Sequence, residues 1–129
     1  MQITLHIDEQ SFSKKPASSS VWAENEAGQI TNRIAQKEST VTPQELAHLI
    51  GAEGRSCCLA TMGYSEDGKK HRRNANMIQQ QVLALDFDNK DDDTGVKTEG
   101  LFYQSIEDTL ADEFIRAHAA FIYKTFSYT

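Results

Sequence analysis

Two carboxylates one residue apart, Asp86 and Asp88, close the apolar run Val82-Leu83-Ala84-Leu85. If that run is a strand, residues i and i+2 point to the same face, and the two carboxylates project together. Carboxylates held side by side repel each other unless a cation lies between them. The cation that suits such oxygen donors is a hard divalent metal, Mg²⁺ or Mn²⁺. The competing reading is a solvated strand end, because Lys90, Asp91, Asp92 and Asp93 follow at once.

Charge is unevenly distributed around this pair. The net charge of the 129-residue chain is −6. Residues 1–54 carry 4 basic and 7 acidic side chains, residues 55–85 carry 5 and 2, and residues 86–129 carry 4 and 10. The positive stretch contains Lys69, Lys70, His71, Arg72 and Arg73, just ahead of the carboxylates. An anionic ligand suits the gap between a basic hairpin and a carboxylate-bound metal, and a solvated hairpin is the plainer alternative. The acidic runs Asp91–Asp93 and Glu107–Glu113 can oppose a basic protein partner, or simply be solvated.

The elements that must position these residues follow from pattern. Ile3, Leu5 and Ile7 alternate, which predicts a strand over 1–7. Residues 11–20 predict a loop, and Val21–Ile34 is ambiguous, with Trp22 expected as a core anchor. Thr42-Pro43-Gln44-Glu45 predicts a helix start: an N-cap, proline at the first helical position and a glutamate that completes a capping box. Residues 55–62 and 71–78 read as strands around an Asp67-Gly68 turn, and 82–88 reads as a buried strand. Ser105 caps a second helix, with Ile106, Leu110, Phe114 and Ala117 forming a core-facing stripe, before a strand over 119–125. Strand, helix and strand from 82 to 126 predict a right-handed parallel crossover. It would bring both strand ends to one rim.

The composition, 39% hydrophobic and 25% charged, fits one globular domain with a modest core. No apolar run approaches the ~20 residues that a bilayer crossing needs. No basic-plus-apolar leader opens the chain, and the expected location is cytoplasmic. Cys57 and Cys58 are adjacent, without zinc or disulfide spacing, and are expected to pack as small buried or half-buried groups in reducing surroundings. Nor do His6, His48, His71 and His118 have zinc spacing.

Three segments in order carry a resemblance: Arg72-Arg73-Asn74-Ala75-Asn76, then Leu83-Ala84-Leu85-Asp86-Phe87-Asp88-Asn89, then Phe121-Ile122-Tyr123-Lys124-Thr125-Phe126-Ser127-Tyr128-Thr129. Residues 55–129 resemble the N-terminal part of primase-polymerases of the archaeo-eukaryotic primase superfamily, in particular replication proteins of phages, prophages and mobile elements. The resemblance implies an α/β (α+β) fold with a small mixed sheet and two main helices, like the first part of a palm-like domain. Residues 1–129 would form one domain, with an N-terminal strand, loop and helix in 1–54. It implies Asp86 and Asp88 as catalytic metal ligands for Mg²⁺ or Mn²⁺. Arg72, Arg73, Ser127 and Tyr128 would lie against nucleotide phosphates, with nucleotide and single-stranded DNA as partners. Tyr128 stands where related proteins place histidine, and no room remains for the family's third acidic motif. The expectation is therefore a truncated primase-polymerase, excised or naturally short, that is not catalytic alone. The alternative is a non-catalytic phage or mobile-element protein that binds and modulates a host or replication protein. Haloacid-dehalogenase-like phosphatases also open with Asp-x-Asp after an apolar strand, but Lys90 stands where that motif has Thr or Val.

Overall fold

The computed structural model describes residues 1–86 and 105–124. It is a small mixed α/β fold that divides into two compact units. One unit holds residues 1–83 together with residues 121–124, and the other holds residues 84–86 and 105–120.

In the first unit, β1 (Ile3–Ile7) is the central strand of a three-stranded antiparallel sheet. Its neighbours are β2 (Glu38–Val41) and β3 (Cys57–Cys58). Alternation sends Ile3, Leu5 and Ile7 to one face, where they pack with Leu46 of α2 (Pro43–Gly51). The opposite face turns His6, and Asp8 two positions on and just past the strand, toward α1 (Glu26–Gln36), which supplies Arg33 to Asp8. The two helices thus cover opposite faces of one sheet. The adjacent cysteines divide the same way, Cys57 with the α2 side and Cys58 with Ile30 and Ile34 of α1. Cys58 is buried and Cys57 half-buried, as the sequence predicts. A second, two-stranded antiparallel sheet joins β4 (Ala60–Met62) to β5 (Met77–Gln80), with an irregularity between Thr61 and Met62.

The α2 start forms as read: Thr42 Oγ1 accepts from the Glu45 N–H at 3.2 Å, and Glu45 accepts from the Thr42 N–H at 2.7 Å. The ambiguous stretch resolves into a 3-10 turn at Trp22–Glu24 and then α1. Trp22 is 58% exposed and is no core anchor; Gln29 uses only its backbone carbonyl.

Three expectations are corrected. Residues 82–86 form neither strand nor helix, and Leu83 is 79% exposed. The outer edges of β2 and β3 carry no further described strand, and residues 82–86 pair with neither. Only Val82 of the run joins the α2-side core. Residues 119–124 likewise form no strand, although Phe121 packs on that core, and every strand pairing among the described residues is antiparallel. The parallel crossover is therefore not formed by these residues.

In the second unit Ser105 caps α3 (Ile106–Ala111) as expected, and Asp108 completes a capping box that the sequence reading did not include. The helix does not continue through the stripe. Asp112 leaves helical geometry (ψ 125°) and its side chain accepts from the Ile115 N–H, capping α4 (Glu113–His118) instead. The break takes Leu110 and Phe114 off a common face, and both are exposed.

Candidate functional site

The sequence-predicted residues fall in different places. Asp86 is exposed, in the second unit, outside any helix or strand. Its carboxylate has no ion-pair or hydrogen-bond partner among the described residues. Asp88, Ser127 and Tyr128 lie outside the described residues. Arg72 and Arg73 belong to the first unit, on the loop that joins β4 to β5.

That loop is closed and braced by its own hydrogen bonds. Asp67-Gly68 makes the turn, with Gly68 at φ +73°, the left-handed region that glycine enters without strain. The Gly68 N–H donates to the Ser65 carbonyl at 2.9 Å, and the Ser65 N–H to the Lys69 carbonyl at 2.8 Å. Tyr64 and Lys70 then face each other in an antiparallel bridge. Asp67 accepts from the Lys69 N–H at 3.0 Å and meets His71 Nε2 at 2.7 Å. The His71 bond, then the Lys69 N–H, hold the Asp67 carboxyl below its ordinary range.

Asn76 ties the far side of the loop. Its Nδ2 donates to Ser65 Oγ at 2.7 Å and to the His71 carbonyl at 3.0 Å. Its carbonyl accepts from the Gly63 N–H at 2.8 Å, and its own N–H donates to the Arg73 carbonyl at 3.0 Å. Tyr64, flanked by Gly63 and Ser65, is thereby brought to the same Asn76 that fixes Arg73.

The cations of this loop differ in their engagement. Lys70 is committed: its Nζ lies 3.3 Å from Glu38 Oε2 and 5.3 Å from the centroid of the Tyr64 ring. Its carbonyl accepts from Gln36 Nε2 at 2.7 Å, which joins the loop to the end of α1. Lys69, Arg72 and Arg73 are exposed and have no ion-pair partner among the described residues. Elsewhere in the unit, Lys14 and Lys15 are also exposed without an ion-pair partner among the described residues, whereas Lys37 and Arg55 are spent on neighbours. A cavity of about 210 Å³ between Ile7, Lys37, Ser39 and Arg55 has Lys37 paired with Glu9 at 2.9 Å and Arg55 with Glu53 at 2.7 Å. The loop between β4 and β5 thus combines three cations that have no ion-pair partner among the described residues with an exposed aromatic ring (Tyr64, 73% exposed).

Two further groups escaped the sequence reading. Asp8 is fully buried and receives a two-pronged bond from Arg33, Nε to Oδ1 at 3.0 Å and a terminal nitrogen to Oδ2 at 2.7 Å. The Asp8 bond raises the Arg33 guanidinium above its ordinary value. His6 is also fully buried, and its Nε2 accepts from the Met62 N–H at 3.0 Å, linking the two sheets. Both sit on the non-apolar parity of β1, which was the available sign that they face a second covered surface. Tyr64 could have been found from the register that an Asp67-Gly68 turn imposes.

No three His, Cys, Asp or Glu side chains come together as a metal-holding group among the described residues, a statement that does not reach Asp88. Comparison with protein-family models, curated proteins and solved structures found no match.

Proposed function

We propose that this chain is a nucleotide- and nucleic-acid-binding module akin to the N-terminal part of a phage or mobile-element primase-polymerase, without nucleotidyl transfer on its own. The observation that carries the reading is the set of unpaired cations, Lys69, Arg72 and Arg73, on a loop that hydrogen bonds hold in shape. Such a loop offers positive charge to phosphates at little ordering cost.

Asp86 and Asp88 would hold Mg²⁺ or Mn²⁺. Two carboxylates match the oxygen donors these ions require, and Asp86 has both oxygens free of described partners. The ion would neutralise phosphate charge. Arg72 and Arg73 bind phosphate oxygens as planar donors, and Ser127 and Tyr128 donate hydroxyl hydrogen bonds to them. Tyr128 cannot carry the charge that histidine would, which is why transfer by the isolated chain is not expected.

The test has two parts. Titrating Mn²⁺ into the wild type and into Asp86→Asn/Asp88→Asn should give binding only in the former; equal weak binding by both removes the metal site. Primer synthesis on a single-stranded template by the purified chain would overturn the non-catalytic part.

The second reading, a protein-binding module of a phage or mobile element, is favoured by one observation. All four residues of β5 are exposed, including Met77 and Ile78. A single stoichiometric protein partner, together with no affinity for nucleotide, would support it.

A further inference from the structure

We infer that the Tyr64 ring is a base-stacking platform for single-stranded nucleic acid, with Lys69, Arg72 and Arg73 holding the flanking phosphates. The inference rests on the nucleic-acid-binding reading and adds the element that senses bases.

Tyr64 is 73% exposed, the most open aromatic ring among the described residues. It is nevertheless not loose. It is bridged to Lys70, and its neighbours Gly63 and Ser65 are both bonded to Asn76. Lys70 Nζ lies over the ring at 5.3 Å and is itself held by Glu38. A cation over an aromatic ring is attracted by its negative face, so the ring is oriented before any ligand arrives. A ring that remains mostly open while a cation occupies a position over it leaves surface for a flat partner.

The ligand that suits this combination must be flat and apolar in one part and anionic in another, repeatedly and within a few residues' reach. A single strand of nucleic acid has that character. Bases stack on aromatic side chains regardless of sequence, and a positive groove follows the backbone. A duplex hides its base faces and cannot use the ring. An acidic peptide would satisfy the three cations but leave the ring without a role. The overall charge of −6 opposes any polyanion at long range, so binding is expected to be strongest at low ionic strength, where the local cations act before screening.

Binding of a fluorescein-labelled oligothymidylate to the full 129-residue chain, followed by anisotropy at low salt, tests this. Tyr64→Ala should weaken binding about tenfold, within the range of base–aromatic stacking. Tyr64→Phe should bind like the wild type, because the ring face is kept. Arg72→Ala/Arg73→Ala should weaken binding and flatten its salt dependence. Inorganic polyphosphate, which has charge but no bases, should compete equally well against wild type and Tyr64→Ala. The side chain is largely in solvent, so unchanged thermal unfolding of each variant is expected and confirms folding.

Equal affinity of Tyr64→Ala and wild type for the oligonucleotide overturns the stacking role while leaving the nucleic-acid reading standing. No binding of the oligonucleotide by the wild type overturns both. Competition by poly-glutamate as strong as by oligothymidylate, with no effect of Tyr64→Ala, assigns the loop to an acidic protein partner instead.

Discussion

Replacing His6 with glutamine should abolish a loss of stability that the wild type suffers between pH 6.5 and pH 5. His6 is fully buried, and the Met62 N–H donates to its Nε2, which requires a neutral ring protonated on Nδ1. Among the described residues Nδ1 makes no well-formed hydrogen bond, and the Ile34 carbonyl acts on it only weakly. Burial lowers the His6 pKa from its ordinary 6.5, Lys70 lowers it further, and Glu38 and the Ile34 carbonyl oppose them. Protonating Nε2 would break the bond between the two sheets and place a charge in the core. Below pH 6.5 the unfolded chain therefore takes up a proton that the folded chain refuses. Stability is unaffected above that value and falls as pH drops, at up to ~1.4 kcal/mol per pH unit, until the folded pKa is reached. The loss accumulates from pH 6.5 downward and ends at the folded pKa, and each kcal/mol of it is roughly 4 °C in Tm for a domain of this size. The carboxyls of Glu45, Glu53 and Asp67 are also held low, but their losses begin only below 4.5 for glutamate and 3.8 for aspartate. His6→Gln should be less stable than wild type at pH 7.5, yet lose less between pH 6.5 and 5. Urea unfolding at half-unit pH steps reads the difference. Parallel stability–pH curves for the two proteins across that window would refute the reasoning.

Arg33→Met removes both bonds to a carboxylate that has no access to water, and should cost ~3 kcal/mol in urea unfolding. The double variant Asp8→Asn/Arg33→Met should recover part of that loss, and a single variant as stable as wild type would contradict the pairing. Burial, with Cys58 adding to it, pushes the Cys57 thiol up to about 11. Native-state alkylation of Cys57 by iodoacetamide at pH 8 should therefore be at least ~10-fold slower than that of an unhindered thiol, because the ~100-fold smaller thiolate fraction outweighs the greater nucleophilicity of a more basic thiolate. Labelling at the rate seen in denaturant would refute it.

The amino-acid sequence by itself determined the features completed within a few residues. Thr42 and Glu45 cap α2, Ser105 and Asp108 cap α3, and Asp67-Gly68 turns the chain back on itself. Each depends on bonds between positions at most four apart, so the local residue types suffice. The alternation of Ile3, Leu5 and Ile7 likewise specified a strand with one apolar face. Tertiary structure decided the rest. Glu38–Val41 looks polar and becomes a strand only because β1 offers it an edge. Val82–Asp86 looks like a core strand and is not one: only Val82 reaches the core, and residues 83–86 are exposed. Asp112 split a continuous-looking helix by capping its second half. Of the candidate site, the cations Lys69, Arg72 and Arg73 were legible as a cluster, but which were free was not. Glu38, more than thirty residues away, takes Lys70, while the other three have no ion-pair partner among the described residues. The same long-range closure sets Lys70 over the Tyr64 ring and His6 against the Met62 N–H. Pairing across such separations costs chain entropy that only the assembled core offsets, so these contacts belong to the fold and not to any local stretch of sequence.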